Sequence, residues 1–172
     1  LNLPYTRGGF GDPVQNLFKF GDGERVVNFL SLDPREVAVS FDAHPMRPAN
    51  DTDQKTFSFV EGTKKEREKD PELMVVSDSG YGFRFPLSNI NETTRSGKKV
   101  MTLKDNDIML GVLPVSSENI FLVSANGKGM LLPLDQVSRL SGTGMGVRLM
   151  KLVDGNLAGF KFVNTKDMVT LI

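Results

Sequence analysis

The sequence predicts an all-β protein, one segment over residues 1–172 of a propeller-like array with about three four-stranded blades. Three observations lead there. Part of the chain repeats at a fixed shift of 47 residues, each copy divides into strand-length runs separated by Gly, Asn and Asp, and no extended stripe of 3.6-residue apolar periodicity runs through it. The 17 Gly and nine Pro also disfavour long helices.

The repeat is ungapped. Residues 73–104 laid over 120–151 give nine identities in 32 positions: Val76/Val123, Ser77/Ser124, Gly80/Gly127, Gly82/Gly129, Pro86/Pro133, Leu87/Leu134, Gly97/Gly144, Val100/Val147 and Lys104/Lys151. They fall mostly on turn and core residue types. Gly at the matched turns supplies the positive φ that tight hairpins require.

In chain order, the N-terminal stretch "TRGGFGDPVQNLFKF" reaches an Asp22-Gly23 turn and continues as "ERVVNFLSL". It aligns Gly11 with Gly97 and Gly144, Val14 with Val100 and Val147, and Leu17 with Leu103 and Met150, so it reads as the second half of a unit. Residues 36–71 form a polar insert between blades. There "AHPMRPANDTDQ" and "GTKKEREKD" predict solvated loop, with 37–41 and 56–60 as candidate strands.

Each full unit then reads as two hairpins. "ELMVVSD" turns at Ser79-Gly80 into "YGFRFPL", as "NIFLVSA" turns at Asn126-Gly127 into "KGMLLPL", with β-branched or aromatic residues in all of these runs but the last, which is rich in Leu and Met. Pro86 and Pro133 lack a ladder donor and predict strand ends or exposed edges. After a glycine connector, "TRSGKKV" or "SGTGMGV", a second pair follows: "VMTLK" turning at Asp105-Asn106-Asp107 into "IMLGVLPV", and "VRLMKLV" turning at Asp154-Gly155 into "NLAGFKFV". Four short strands recur in 47 residues because a single blade cannot hide its own apolar faces. The absence of Trp excludes a WD-type blade.

Composition narrows the function. With 21 basic and 21 acidic residues the chain is formally neutral, so bulk charge does not point to nucleic acid or an acidic membrane. Its halves differ: residues 1–78 carry 10 Lys/Arg against 14 Asp/Glu, net −4, and residues 79–172 carry 11 against 7, net +4. No Cys is present, which removes disulfides and thiolate chemistry and fits a reducing compartment. No apolar run approaches the roughly 20 residues that span a bilayer, and no signal peptide opens the chain, so it is expected to be soluble and cytoplasmic. Leu1 in place of an initiator Met and the strand-like ending "DMVTLI" predict a fragment of a larger domain.

Catalytic chemistry has little to draw on. The single histidine, His44, sits before Pro45 in the insert, which supports neither a nucleophile triad nor a multi-histidine metal site. Gly142, Gly144 and Gly146 suggest a dinucleotide loop, but a strand follows them where that motif needs a helix. Asp22, Asp105, Asp107 and Asp154 fall at hairpin turns, where Asp is a turn former. A sugar- or nucleotide-processing propeller would need polar groups converging on the ring axis, and the sequence shows none.

The cations are more ordered. Arg7, Arg95, Lys98, Lys99, Arg139 and Arg148 flank or occupy the glycine connectors, and Arg84 and Lys128 lie just past the hairpin turns. Blades around a ring would bring these equivalent positions onto one rim, a stripe able to follow a bent phosphate backbone. Solubilising surface charge is the alternative.

"GYGFRFPLSNINETTRSGKKVMTL" and "GKGMLLPLDQVSRLSGTGMGVRLMKL" resemble successive blades of the C-terminal β-pinwheel of bacterial type IIA topoisomerase A subunits, from DNA gyrase or topoisomerase IV. "YTRGGFGDPVQNLFKFGDGERVV" resembles the end of an earlier blade, and the likeness covers residues 1–32 and 73–172. It implies a partial β-pinwheel that binds and bends duplex DNA around its outer edge, within an ATP-dependent isomerase. Arg84, Arg95, Lys98, Lys99, Lys128, Arg139 and Arg148 then become candidate phosphate contacts, with Arg7 beside them on the first connector. The resemblance implies no cofactor in this segment. ATP and magnesium would act elsewhere in the parent, which would work with duplex DNA, the B subunit, and another copy of the A chain.

The basic glycine-rich box used by gyrase for chiral wrapping is represented only by "TTRSGKKV", so a weaker guide of the topoisomerase IV kind is equally consistent. The family's cleavage tyrosine belongs to another domain; Tyr5 follows a proline, and Tyr81 is expected to be buried among turn glycines, away from any activating arginine. A protein-interaction propeller with no role in DNA handling, docking a partner on its rim, is the alternative function.

Overall fold

Ser79-Gly80 and Asn126-Gly127 close two hairpins, as the repeat predicts, with Gly80 at φ +85° and Gly127 at φ +80°. The computed structural model describes residues 8–16, 18–30, 70–91 and 97–170. The first hairpin joins β1 (Glu72–Ser77) to β2 (Tyr81–Pro86), and the second joins β4 (Asn119–Ser124) to β5 (Gly129–Pro133). Both β2 and β5 end on the proline that cannot extend the ladder. The remaining strands are β3 (Met109–Pro114), β6 (Val147–Arg148) and β7 (Leu157–Val163). Two antiparallel sheets result, a four-stranded one in the order β3-β1-β2-β6 and a three-stranded one in the order β5-β4-β7. Among the described residues no helix is long and apolar enough to cross a membrane.

The second pair in each unit does not close on itself, which corrects the expected hairpins. β3 returns to its own unit and pairs with β1, and β7 likewise pairs with β4. β6 instead crosses to the preceding sheet, where Val147 pairs with Gly82 and Arg148 with Tyr81. The cause is the exposed flank of β2, whose amides and carbonyls need partners. The connector of the second unit supplies them along the way: Arg84 N–H donates to Ser138 at 2.9 Å, Leu140 N–H donates to Arg84 at 2.8 Å, and Leu149 N–H donates to Gly80 at 2.8 Å. Gly146 permits the crossing, because a Cβ there would lie 2.2 Å from the carbonyl oxygen of Gly82. "VMTLK" contributes only an isolated bridge, Met101 with Gly144, rather than a named strand.

Alternation along β1 builds two cores. Met74 and Val76 face the second sheet and pack with Ile120, Leu122, Leu149, Leu157 and Phe162. Leu73 and Val75 face the other way, against Phe83, Phe85 and Met101. Phe83 and Phe85 lie on one face of β2 with ring centroids 5.9 Å apart. Burial on both faces explains why β1 reads "LMVV" without alternating polarity.

Asp78 ties the sheets together at the end of β1. Its carboxylate accepts from Ile108 N–H at 3.0 Å and from Asn156 Nδ2 at 2.8 Å, and its carbonyl accepts from Leu157 N–H at 2.7 Å. Asp107, in the turn where Asn106 takes φ +62°, accepts from Ser79 N–H at 3.1 Å and Ser79 Oγ at 2.6 Å. Burial, then the hydrogen bond with Asp107, raises the Asp78 carboxyl above its ordinary value. Asp107 is opposed by burial but ends below its ordinary value, held there by the hydrogen bonds from Asp78 and Ser79.

In the N-terminal half unit the Asp22-Gly23 turn forms, with Gly23 at φ +78°, but no strand forms among the described residues of 8–30; Val14–Asn16 is one 3-10 turn. Asn28 Nδ2 donates to the Val112 carbonyl at 2.7 Å and Leu30 packs on the second core. Apart from Asp70 and Pro71, the 36–71 insert with its two candidate strands lies outside the described residues.

Candidate nucleic-acid interface

The glycine connectors of the two units touch. Thr143 Oγ1 donates to the Lys99 carbonyl at 2.7 Å, and Thr102 N–H donates to the Gly144 carbonyl at 2.8 Å. Lys98 and Lys99 are exposed there, beside a shallow pocket of about 40 Å³ completed by Asn89, Ser141 and Thr143. Lys98 Nζ donates to the carbonyl of Asn89 on the four-residue helix Ser88–Asn91. Asn89 Nδ2 in turn donates to Ser141 at 3.1 Å, which fastens this corner to the second connector.

The other predicted cations divide into two kinds. Arg84 points inward: Nη1 meets Glu72 Oε2 at 3.1 Å, while Nε and Nη2 donate to the Val137 carbonyl at 3.2 and 3.1 Å, and only 20% of the side chain is exposed. Arg139 reaches the other oxygen of Glu72 at 2.5 Å but stays half exposed. One carboxylate therefore links a strand cation of the first unit to a connector cation of the second. Lys128 is exposed at the mouth of the second hairpin, its N–H donating to Ser124 Oγ at 3.1 Å. Arg148 is exposed on β6. Arg7 and Arg95 lie outside the described residues.

Tyr81 departs from expectation. It is partly exposed rather than buried, and its hydroxyl accepts from both Lys104 Nζ and Arg148 Nη2, each at 2.8 Å. Lys104 Nζ lies 4.2 Å from the ring centroid and the Arg148 guanidinium carbon 5.4 Å, cation–π distances that add to the hydroxyl contacts. The hydrogen bond from Lys104 and then that from Arg148 lower the phenol from its ordinary value of 10.0. Lys104 is absent from the cations singled out by sequence reasoning. Its signal was present all the same, as the Lys104/Lys151 identity in the repeat.

Chemically the surface offers exposed hydrogen-bond donors suited to anions. Among the described residues no three His, Cys, Asp or Glu side chains gather to hold a metal.

Comparison with known proteins follows the same repeat. Over 105 residues the chain is 33% identical to the DNA gyrase A protein of Lawsonia intracellularis, covering 58% of this chain and 13% of the relative. The DNA gyrase A protein of Chlamydia pneumoniae is 27% identical over 150 residues, 78% of this chain and 17% of the relative. The DNA topoisomerase 4 A protein of Rickettsia conorii is 26% identical over 95 residues, 55% of this chain and 13% of the relative. The chain thus spans less than a fifth of the length of these relatives. A crystal structure of the C-terminal domain of DNA topoisomerase IV superposes with TM-score 0.64 at 18% identity, over 91% of this chain and 40% of that one, and agrees with the fold. The family described as DNA gyrase C-terminal domain, β-propeller, matches residues 71–116 and 118–164, one stretch for each repeat unit. Those two stretches make up more than half of the sequence, and the chain belongs to that family, the C-terminal domains of type IIA topoisomerase A subunits.

Proposed function

We propose that this chain binds duplex DNA along the outer edge of its blades, without sequence preference, and bends it toward the cleavage and ATPase machinery of a bacterial type IIA topoisomerase. The observation that carries the reading is the contact between successive glycine connectors, Thr143 on Lys99 and Thr102 on Gly144, which sets the exposed Lys98 and Lys99 against the second connector. Exposed Lys98, Lys99, Lys128 and Arg148 then offer donors to phosphate oxygens, contacts that position a duplex but carry no sequence information. The net +4 of residues 79–172 favours that partner locally although the whole chain is neutral. The B subunit, the second A chain, ATP and magnesium belong to the parent enzyme in this reading, and the compartment is the nucleoid-containing cytoplasm.

Fluorescence anisotropy with two unrelated duplexes between 50 and 200 mM salt tests it. Equal affinities for both duplexes, falling linearly on logarithmic axes with a slope of about −0.9 per neutralised phosphate, are expected. Binding insensitive to salt, or no binding, removes the reading and points to an apolar docking surface for a protein partner.

A further inference from the structure

We propose that Tyr81, Lys104 and Arg148 form one phosphate-binding centre, in which the phenol holds two cations ready for a backbone phosphate of duplex DNA. The inference rests on the DNA-binding reading and adds to it a site assembled from three separate parts of the chain. Tyr81 comes from β2, Lys104 from the turn after the first connector, and Arg148 from the strand that the second unit lends to the first sheet. No single repeat unit contains it.

The geometry favours an anion. Two cationic donors converge on one oxygen at 2.8 Å, although a neutral phenol oxygen offers much less negative charge than two positive groups can satisfy. Neither cation is matched to a carboxylate in the ion pairs of the described residues; those involve Arg84 and Arg139 with Glu72. Lys104 and Arg148 are both exposed, so a phosphate can approach from solvent without displacing core side chains. The phenol restrains two long, otherwise mobile side chains, which reduces what is lost when a phosphate orders them. One unit further along, Lys128 and Lys151 occupy the positions of Tyr81 and Lys104, so positive charge recurs at the blade spacing.

Ligand binding has a spectroscopic signature here. Lys104 and Arg148 are the charged groups facing the phenol, and both favour its ionised form. A phosphate seated on them competes for the same charge, so the Tyr81 ionisation midpoint should move back up toward 10.0. With two tyrosines in the chain, a Tyr5→Phe background leaves Tyr81 as the only phenol.

The experiment has two arms. Phenolate absorbance near 295 nm is titrated in Tyr5→Phe with and without saturating inorganic polyphosphate, which is transparent there; the midpoint is expected to rise with the polyanion. DNA binding is measured for Lys104→Gln and, separately, for Lys98→Ala with Lys99→Ala. Lys104→Gln is expected to bind a duplex several-fold more weakly at low salt and to flatten the salt slope by about 0.9. An unmoved midpoint, or unchanged DNA affinity in Lys104→Gln, overturns the centre. If the double lysine variant alone weakens binding, the centre fails while the rim reading stands; if neither variant does, both fall.

Discussion

Tyr81 and Arg148 face each other across a strand pair whose members belong to different repeat units. The first sheet is therefore completed by residues that follow the whole of the second hairpin. Stability at one blade depends on backbone geometry in the next.

Gly146→Ala should expose that dependence. The substitution introduces a Cβ 2.2 Å from the Gly82 oxygen at a residue with φ +78°. A loss of more than about 1 kcal/mol is expected, since both the conformation and the space reject a side chain. Hydrogen exchange should show the damage at Gly82, in the first unit. Protection there unchanged from the parent would contradict the exchange of β6.

Gly80 and Gly127 share a repeat position, a positive φ and a backbone bond to a serine three residues back, yet they should not share mutational cost. A Cβ at Gly80 would lie 2.8 Å from the Met150 oxygen, whereas nothing lies within 4 Å of one at Gly127. Alanine at Gly127 is expected to cost about 1 kcal/mol for its positive φ alone, and alanine at Gly80 clearly more. Thermal unfolding of the two variants side by side gives the comparison. Valine at either turn should be worse than alanine, because β-branching resists positive φ.

Arg84 should behave as a structural residue, unlike the connector lysines. Removing its side chain leaves the Val137 carbonyl without those donors and Glu72 with Arg139 as its remaining partner. Arg84→Ala is expected to lower stability by about 1–3 kcal/mol, the penalty for part-buried polar groups left unpaired. Lys98→Ala with Lys99→Ala should leave the unfolding midpoint nearly unchanged while weakening DNA binding equally on unrelated sequences. Denaturant unfolding and anisotropy on both variants separate the two roles.

Asp78 and Asp107 give a pH signature of opposite signs. The folded carboxyl of Asp78 lies above its ordinary 3.8, so its contribution is complete below that value and is lost as pH rises through the raised one. Asp107 lies below 3.8 when folded, so its contribution is present above that value and is lost as pH falls through the lowered one. Asp78→Asn removes the first effect and keeps an acceptor for Ile108 N–H. Relative to the parent, the variant should therefore gain stability as pH rises from 3 to 7 in urea unfolding. A constant difference across that range would show that the two carboxylates do not share their environment.

Much of the fold was legible because turns and faces are local properties. Gly80 and Gly127 announced their hairpins, Pro86 and Pro133 their strand ends, and Asp105-Asn106-Asp107 a turn that the chain makes. The destination of β6 was not legible. Alternation says which face a strand buries, but Val147 and Arg148 carry no mark saying which neighbouring edge they join. The N-terminal half unit shows a related failure, since the pattern around Val26 and Val27 is strand-like while a strand also needs a laterally adjacent partner. For the interface, the letter R is the same in Arg84 and Arg148. Glu72, twelve positions before the former, decides that one is internal and the other solvent-facing. Tyr81 was misplaced because flanking glycines suggested enclosure, whereas its outward side meets two long side chains from distant parts of the chain.

The loan of β6 also sets an order of events during synthesis. When the ribosome has made residues up to Pro86, β1 and β2 can meet, yet the outer flank of β2 stays bare until the second connector emerges and is completed only by Val147 and Arg148. During that interval the nascent chain displays an unpaired strand able to recruit a neighbour. Rapid translation of the second unit is thus a form of protection for the first.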